Sequence, residues 1–469
     1  MTSVTSQEQV EAALARMDEV DDLVRSVCTR SDTALDTARE LDRERREGTV
    51  RGPLHGRPVL VKDNIDTTDL PTTAGSLALA ALPHPTRDAT LVARLRAAGM
   101  VLIGKTNLSE WANIRDESST SGWSAYGGLT RNPHALNRSA GGSSSGSGAA
   151  VAVGISPFAV GTETDGSISC PAAFTGCVGL KPTVGLVPTD GVVPISRSQD
   201  APGPMTRSVR DAAALLDVLA DTGTRHASAA VDGRLAGKRI GVPRRDFWGD
   251  SSHADDRAEH ALRVLAAQGA TIVDHTDLDS LTGFDWEDEL TVLLAELRAG
   301  LSQYLAGRHG DGPRTLEDVV AFNLAHADVE LAHFGQSLFD KALAGPDVDS
   351  AEYAAARARC LAHARDDGID AVLAAHGLDA LVTPSFTPAF PIDLVNAEAN
   401  SGGCSGPTAI AGYPLLTVPS GMAAGLPVAV SFWGAAGAEA TLLEIGHGYE
   451  RARDLDTGPM PEPALAPFV

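Results

Sequence analysis

Aromatic residues and long apolar runs are scarce in this chain of 469 residues. Phe, Trp and Tyr together make up only 4% of it. No stretch of about 20 apolar residues occurs, which disfavours a membrane-spanning helix. The N-terminus, MTSVTSQEQVEAALARMDEV, lacks the basic patch and apolar run of a secretory signal. We therefore expect a soluble, cytoplasmic protein.

Cysteine and positive charge are also in short supply. The cysteines are odd in number and scattered, at Cys28, Cys170, Cys177, Cys360 and Cys404. They form neither CxxC pairs nor a disulfide framework, so we expect reduced thiols. Lys and Arg number 38 against 61 Asp and Glu, which gives a formal net charge of −23. Repulsion then disfavours nucleic acid and anionic membranes as partners, and solubility is the simpler reason for the charge.

The length exceeds what one hydrophobic core usually fills, so it allows either one unusually large α/β domain or two ordinary ones. Residues 1–50 have the pattern of an N-terminal helical layer. Short apolar runs alternate with helix-like segments over 51–215, and strand-like segments return over 379–455. The acidic, Ala-rich stretch 243–378 between them is mostly helical in pattern. We predict a single domain, 1–469, whose sheet is completed by its C-terminal part.

A Gly/Ser-rich segment, AGGSSSGSGAAVAVG, occupies residues 140–154. In isolation, such a tract is typical of a flexible connector. Here it runs into small apolar residues and then into a strand-like run, so it lies between core elements. Its glycines can let the backbone approach a substrate closely.

Ser167 follows Gly166 in the segment GTETDGSISCP, just beyond a strand-like run. A turn there can direct consecutive backbone N–H groups at one point, which is what a tetrahedral oxyanion requires. The candidate donors are Thr164, Asp165, Gly166 and Ser167. The alternative is a turn that only reverses the chain.

Lys62 ends the apolar run PVLVK. A surface lysine is the usual explanation of such a residue. A lysine at the end of a buried strand is desolvated instead, which lowers its pKa and frees a lone pair for proton abstraction. Lowering that pKa from about 10.4 to about 7.5 requires roughly 4 kcal/mol.

Taken together, these segments resemble the amidase signature family. The resemblance covers about 50–215 and is weaker across the C-terminal sheet. The stretches that carry it are GRPVLVKDNIDTTDLPTTAGS, GKTNLSEWAN, AGGSSSGSGAAVA and GTETDGSISCPAAFTGCVGLKPTVGLVP. It implies an α/β fold with a large central mixed β-sheet covered by helices on both faces. The segment from TETDGSISCP onward is most similar to peptide-amidase-like members.

The resemblance also implies catalytic residues: Lys62 as base, Ser143 as bridging serine after a cis Gly142–Ser143 bond, and Ser167 as nucleophile. In the implied reaction, Ser167 passes its proton through Ser143 to neutral Lys62 and attacks an amide carbonyl, which gives an acyl-enzyme. No cofactor or metal is required. We expect hydrolysis of a carboxamide or secondary amide, with a C-terminal peptide amide as the first candidate.

Three alternatives remain open at this point. The acyl-enzyme could pass its acyl group to an amine or alcohol, as in an acyltransferase. The chain could be a glutaminase-type subunit of an amidotransferase, or a catalytically inactive binding protein. We expect a small-molecule or peptide amide as substrate and a monomer or homodimer.

Four residues near the serines are candidates for substrate binding: Gly141, Gly142, Ser144 and Trp123. Trp123 lies in a Gly/Ser-rich stretch and could form a wall of the acyl pocket. For the other scarce tryptophans, Trp111 and Trp286, core filling is the ordinary explanation.

Two further interpretations are set aside. His326 and His333 are seven apart on a helix-like stretch but lack HExxH spacing, so a solvated helix face explains them better than a metal site. Cys170 lies three residues after Ser167 without a histidine partner nearby, which favours a buried small side chain over a thiol nucleophile.

Overall fold

The computed structural model describes residues 4–230, 235–399 and 402–468. The first three residues of the predicted N-terminal layer therefore lie outside the described residues. The same holds for 231–234, 400–401 and 469 of the predicted domain 1–469. No helix in the described part is both long and apolar enough to cross a membrane.

Fifteen strands occur in the described residues, numbered in chain order. They are β1 (Val27–Arg30), β2 (Pro58–Lys62), β3 (Val101–Thr106), β4 (Trp123–Ser124), β5 (Gly128–Leu129), β6 (Arg131–Asn132), β7 (Ala135–Ser139), β8 (Phe158–Glu163), β9 (Val178–Lys181), β10 (Ala201–Thr206), β11 (Arg239–Val242), β12 (Thr271–Asp274), β13 (Ala380–Pro384), β14 (Leu415–Ala423) and β15 (Leu426–Trp433).

The α-helices of the described residues are α1 (Ser6–Val24), α2 (Ala34–Arg46), α3 (Leu77–Ala80), α4 (Thr90–Ala97), α5 (Ser145–Ala152), α6 (Ser169–Thr175), α7 (Val209–Ala220), α8 (Arg244–Phe247), α9 (Ser252–Ala267), α10 (Trp286–Ala306), α11 (Leu316–Ala325), α12 (Ala327–Glu330), α13 (Ser337–Ala344), α14 (Ala351–Leu361), α15 (Asp370–His376), α16 (Gly406–Ala411) and α17 (Glu439–Thr457). Shorter turns of 3-10 helix lie at Glu110–Asn113, His226–Ser228 and Asp279–Leu281, and a π-helical stretch spans Ala362–Ile369.

Eleven strands form one mixed sheet in the order β1-β3-β2-β8-β10-β9-β14-β15-β13-β11-β12. The pairs β2–β3, β2–β8, β11–β12 and β11–β13 are parallel, and the other pairs are antiparallel. The predicted α/β fold, with a large mixed sheet covered by helices, is confirmed. Two further two-stranded sheets, β4–β5 and β6–β7, lie outside it.

Both edge strands lie in regions that the sequence pattern describes as helical. At one edge, β1 pairs antiparallel with β3, and at the other β12 pairs parallel with β11. Each edge strand is only four residues long and incompletely buried. A short strand of this kind has too few residues to show an alternation that differs from its helical surroundings.

The strand β2 is an interior strand of the sheet, between β3 and β8, and is fully buried. Val59 and Val61 pack into the core on one face of the sheet, while Leu60 packs into the core on the other. This alternation follows from the two-residue period of a strand. A residue at the end of β2 is therefore placed between two apolar layers.

The Gly/Ser-rich segment forms the buried helix α5 and is not a flexible connector. Every residue of α5 is buried. A side chain at Gly146 would clash with the backbone of Ser26 and Asn107, and one at Gly161 would meet Ser144 at 2.8 Å. Small residues thus allow α5 to lie directly against the strands β2 and β8.

Leu60→Ala should lower the free energy of unfolding by about 2–5 kcal/mol, because the buried cavity that it leaves cannot collapse fully. Urea unfolding followed by circular dichroism measures the loss. Leu455→Ala is the control: Leu455 is 83% exposed, and its truncation should change stability by less than about 0.5 kcal/mol. Equal effects of the two changes would contradict the burial described for β2.

Candidate active site

Lys62 ends β2 and has no exposed surface. Its Nζ lies 2.7 Å from Ser143 Oγ and 3.0 Å from Ser144 Oγ. It also lies 2.9 Å from Thr162 Oγ1 and 3.2 Å from the Thr162 carbonyl oxygen. The amine is therefore surrounded by neutral oxygens, and no carboxylate of the described residues is within ion-pair distance of it.

This burial lowers the pKa of Lys62 from 10.5 to about 7. The negative charges of Asp200 and Glu163 act in the opposite direction but only partly offset the desolvation. Near neutral pH, a large fraction of the Lys62 side chains consequently carries a free lone pair.

The hydrogen bonds around the amine restrict where that lone pair can point. Ser144 Oγ donates its proton to the Thr162 carbonyl at 3.0 Å and accepts from the Thr162 N–H at 3.1 Å. With its own proton donated, Ser144 Oγ can only accept a hydrogen bond from Lys62. The Thr162 carbonyl oxygen can also only accept one. A neutral amine uses both of its N–H bonds on these two acceptors, which leaves its lone pair for a hydroxyl. The remaining hydroxyls within reach of Nζ are those of Ser143 and Thr162, and the Ser143 hydroxyl is the nearer.

Ser143 is fully buried and follows a cis peptide bond from Gly142. Its carbonyl accepts a hydrogen bond from the Ser109 N–H at 3.1 Å. Backbone contact also joins the two serine segments, because the Ser144 N–H donates to the Ser167 carbonyl at 3.0 Å.

Ser167 lies in the turn between β8 and α6, after Gly166, whose φ is +78°. Among the described residues no hydrogen bond joins the hydroxyls of Ser143 and Ser167. Catalytic hydrogen bonds are often long before substrate binds, so this separation is compatible with a relay between them.

Glu163, the last residue of β8, fixes the shape of this turn. Its Oε2 accepts from the N–H groups of Ile168 and Ser169 at 2.7 and 2.8 Å and from Ser169 Oγ at 3.0 Å. In the part of the chain that the structure describes, the N–H groups of Asp165, Gly166 and Ser167 donate to no acceptor. The turn thus presents three consecutive free donors.

A cavity of about 420 Å³ opens at Ser167. The four predicted oxyanion donors, Thr164 to Ser167, all line it. Apolar side chains form much of its wall: Ile195, Trp286, Leu293, Phe386 and Phe390.

The charged groups that line this cavity are both acidic. They are Asp165, in the turn itself, and Glu398, in the segment between β13 and α16. No lysine, arginine or histidine is among the described lining residues. Burial raises the pKa of Asp165 to about 6 and that of Glu398 to about 7.

The predicted substrate-binding residues separate into two groups. Gly142 lines the cavity. Ser144 does not, since its hydroxyl is taken up by Lys62 and Thr162. Gly141 packs against the backbone of Pro171 and does not line the cavity.

Trp123 is not a wall of this cavity. It is buried in a separate aromatic cluster, where its ring meets His333 and Phe334 edge to face at 5.1 and 5.2 Å. The tryptophan in the wall is Trp286, which is half exposed at the start of α10. Neither Trp286 nor Glu398 stands in a motif, so no local signal identifies them.

The two interpretations set aside from the sequence gain no support. The described residues contain no group of three or more His, Cys, Asp or Glu arranged to hold a metal ion. His326 stacks on Phe322 with ring centroids 4.0 Å apart. Cys170 lines the cavity, but burial raises the pKa of its thiol to about 12, which keeps it protonated and unreactive.

Comparison with known proteins gives consistent matches along almost the whole chain. The sequence model of the Amidase family matches residues 8–443. A probable amidase of Arabidopsis thaliana is 36% identical over 96% of this chain and 87% of its own length. A glutamyl-tRNA(Gln) amidotransferase subunit of Chloroflexus aggregans is 37% identical over 97% of this chain and 94% of its own length. The native peptide amidase from Stenotrophomonas maltophilia superposes with a TM-score of 0.92 at 44% identity, covering 98% of this chain and 95% of that one.

Glu163→Ala should lower the free energy of unfolding by about 2–4 kcal/mol, because three buried donors lose their acceptor. Glu163→Gln should cost less, about 1–2 kcal/mol, since its carbonyl oxygen can replace Oε2 without the charge. Urea unfolding measures both, and Glu11→Ala on the exposed face of α1 is the control. Values for Glu163→Ala no larger than for the control would show that Glu163 does not hold the turn.

Proposed function

The chain belongs to the amidase family and is an amidase that acts on carbon–nitrogen bonds of linear amides, and we propose that it removes the C-terminal amide of peptides. The observation that carries the proposal is the contact of a buried, partly neutral Lys62 with Ser143, beside a cavity lined by Ser167. We propose these three residues as base, bridging serine and nucleophile.

The reaction begins with two proton transfers. Lys62 Nζ accepts the proton of Ser143 while Ser143 Oγ accepts that of Ser167. Ser167 Oγ then forms a bond to the amide carbonyl carbon, and the carbonyl oxygen becomes an oxyanion. The N–H groups of the turn at Thr164 to Ser167, three of which are free at Asp165, Gly166 and Ser167, are the proposed donors to this oxyanion.

The relay then runs in reverse. The proton on Lys62 returns through Ser143 to the amide nitrogen, which must be protonated because an amide anion is a very poor leaving group. The carbon–nitrogen bond breaks, ammonia leaves, and the peptide stays attached to Ser167 as an ester. A water molecule, deprotonated by the same relay, releases the peptide acid.

The charges of the cavity favour an amidated peptide over glutamine. Glutamine carries a free α-carboxylate, and no cation of the described lining residues is present to pair with it. The C-terminal residue of a peptide amide has no such charge. The likeness to the Stenotrophomonas maltophilia peptide amidase supports the same choice over a glutaminase-type subunit.

We propose further that residues 1–469 form one amidase domain, which acts in the cytoplasm as a monomer or homodimer and without a cofactor. The sheet that takes strands from Val27 to Trp433 supports a single domain. The five free cysteines are consistent with a reducing compartment.

The purified chain should convert N-acetyl-leucine amide into N-acetyl-leucine and ammonia. Ser167→Ala should lower kcat by about 1,000-fold or more, because no other group can form the acyl-enzyme. Cys170→Ala is the matched control three residues away, and it should lose less than about tenfold. Coupled ammonia detection measures all three rates.

Three outcomes would overturn parts of this proposal. Full activity in Ser167→Ala would refute the nucleophile. Rapid hydrolysis of free glutamine without hydrolysis of the peptide amide would favour the glutaminase-type alternative. Transfer of the acyl group to added hydroxylamine, with almost no free acid, would favour an acyltransferase.

A further inference from the structure

Glu398 brings a carboxylate into the cavity from a part of the chain remote from the catalytic motifs. Its Oε1 accepts from the Ser121 N–H at 2.6 Å, and its Oε2 accepts from Ser121 Oγ at 2.9 Å. Both oxygens are therefore held, and the side chain has a defined position in the cavity wall.

That position is close to the reacting groups. Ser121 packs directly against Gly142, where an added Cβ would lie 3.0 Å from Ser121 Oγ. Gly142 in turn precedes Ser143, and both Gly142 and Ser121 line the cavity with Ser167. Glu398 is thus separated from the relay by one layer of small residues.

Glu398 has no cationic partner among the residues that the structure describes. None of the ion pairs among the described residues includes it, and the other charged group of the cavity, Asp165, is also a carboxylate. Burial already disfavours its ionised form and raises its pKa to about 7. A buried carboxylate without a counter-charge is stabilised by any cation that enters beside it.

The rest of the wall suits a cation carried on an apolar stem. Trp286 and Phe386 line the same cavity and offer aromatic surface, which packs well against the methylene groups of lysine or arginine. Aromatic faces also attract cations. The cavity therefore combines an apolar wall with negative charge.

We propose that Glu398 is a specificity-determining residue that selects amide substrates with an ammonium or guanidinium group close to the scissile amide and rejects those with a carboxylate. The inference rests on the proposed function and specifies its substrate class. The cation can be a basic side chain or the free α-ammonium of an amino acid amide.

The test compares kcat/KM for matched amides at about pH 7.5, where most of Glu398 is ionised and most of a free α-amine is still protonated. N-acetyl-lysine amide, N-acetyl-norleucine amide and the α-amide of N-acetyl-glutamate differ mainly in side-chain charge. The comparison of kcat/KM for norleucine amide with that for its N-acetyl derivative isolates the effect of the α-ammonium. The variants are Glu398→Gln, which keeps an acceptor for Ser121, and Glu117→Gln, which removes one negative charge on the exposed surface.

The unaltered protein should prefer the lysine amide to the glutamate amide by about tenfold or more, as expected for one partly buried charge pair. Glu398→Gln should reduce this ratio by about tenfold, whereas Glu117→Gln should leave it unchanged. No cationic preference in either comparison, lysine amide against glutamate amide or norleucine amide against its N-acetyl derivative, would overturn the inference while leaving the amidase proposal intact. A preference that is unchanged in Glu398→Gln would overturn it as well. Failure to hydrolyse any of the amides would refute the proposed function itself.

A cationic preference confined to one pair of substrates identifies the source of the cation. If only the lysine amide has the higher kcat/KM, the cavity recognises a basic side chain. If only norleucine amide with its free amine has the higher kcat/KM, the cavity recognises the α-ammonium. Either result supports the role of Glu398, provided that the preference is lost in Glu398→Gln.

Discussion

The burial of one amine group, that of Lys62, is the constraint on which the rest of the site depends. An ammonium ion enclosed by hydroxyl and carbonyl oxygens, without a paired carboxylate, is costly relative to one in water. The protein avoids much of this cost by releasing the proton, and the pKa falls to about 7. A surface lysine would remain charged at neutral pH and could not accept a proton from a serine.

The mixed sheet explains why the amine meets residues so distant in sequence. The strands β2 and β8 are parallel neighbours, paired through Leu60 with Ala159 and Val61 with Val160. Their carboxyl ends therefore lie at the same edge of the sheet, which is where sites form in open α/β folds. Lys62 ends one strand, and the turn with Ser167 follows the other. Ser143 lies two residues before the buried helix α5, which packs against both strands.

Two carboxylates, those of Asp200 and Glu163, raise the pKa of Lys62 without forming an ion pair with it. Glu163 lies near enough to raise the pKa of Lys62 slightly, but its oxygen is occupied by the N–H groups of the turn. It thus holds the turn that presents the proposed oxyanion donors, without forming an ion pair that would keep the lysine protonated. The carboxylates of Asp165 and Glu398 line the cavity in which we propose that the substrate binds.

The parts of this arrangement that follow from local sequence could be predicted. The apolar run PVLVK identified a buried strand ending at Lys62, and the glycine before Ser167 identified the turn. The cavity walls could not be found in this way, because Trp286 and Glu398 reach the site only through long-range packing. The same holds for Trp123, which lies near the motifs in sequence but packs against His333 and Phe334. The short edge strands carry too few residues to show a period.

The rate constant for acylation of Ser167, the proposed nucleophile, measured in single turnovers across about pH 5 to 9, tests the central claim most directly. A neutral Lys62 with a pKa of about 7 requires this rate constant to rise about tenfold per pH unit in acid and to level off above neutrality, with a midpoint near 7. A rate constant independent of pH over that range, or one still rising towards the ordinary lysine pKa of 10.5, would contradict the account.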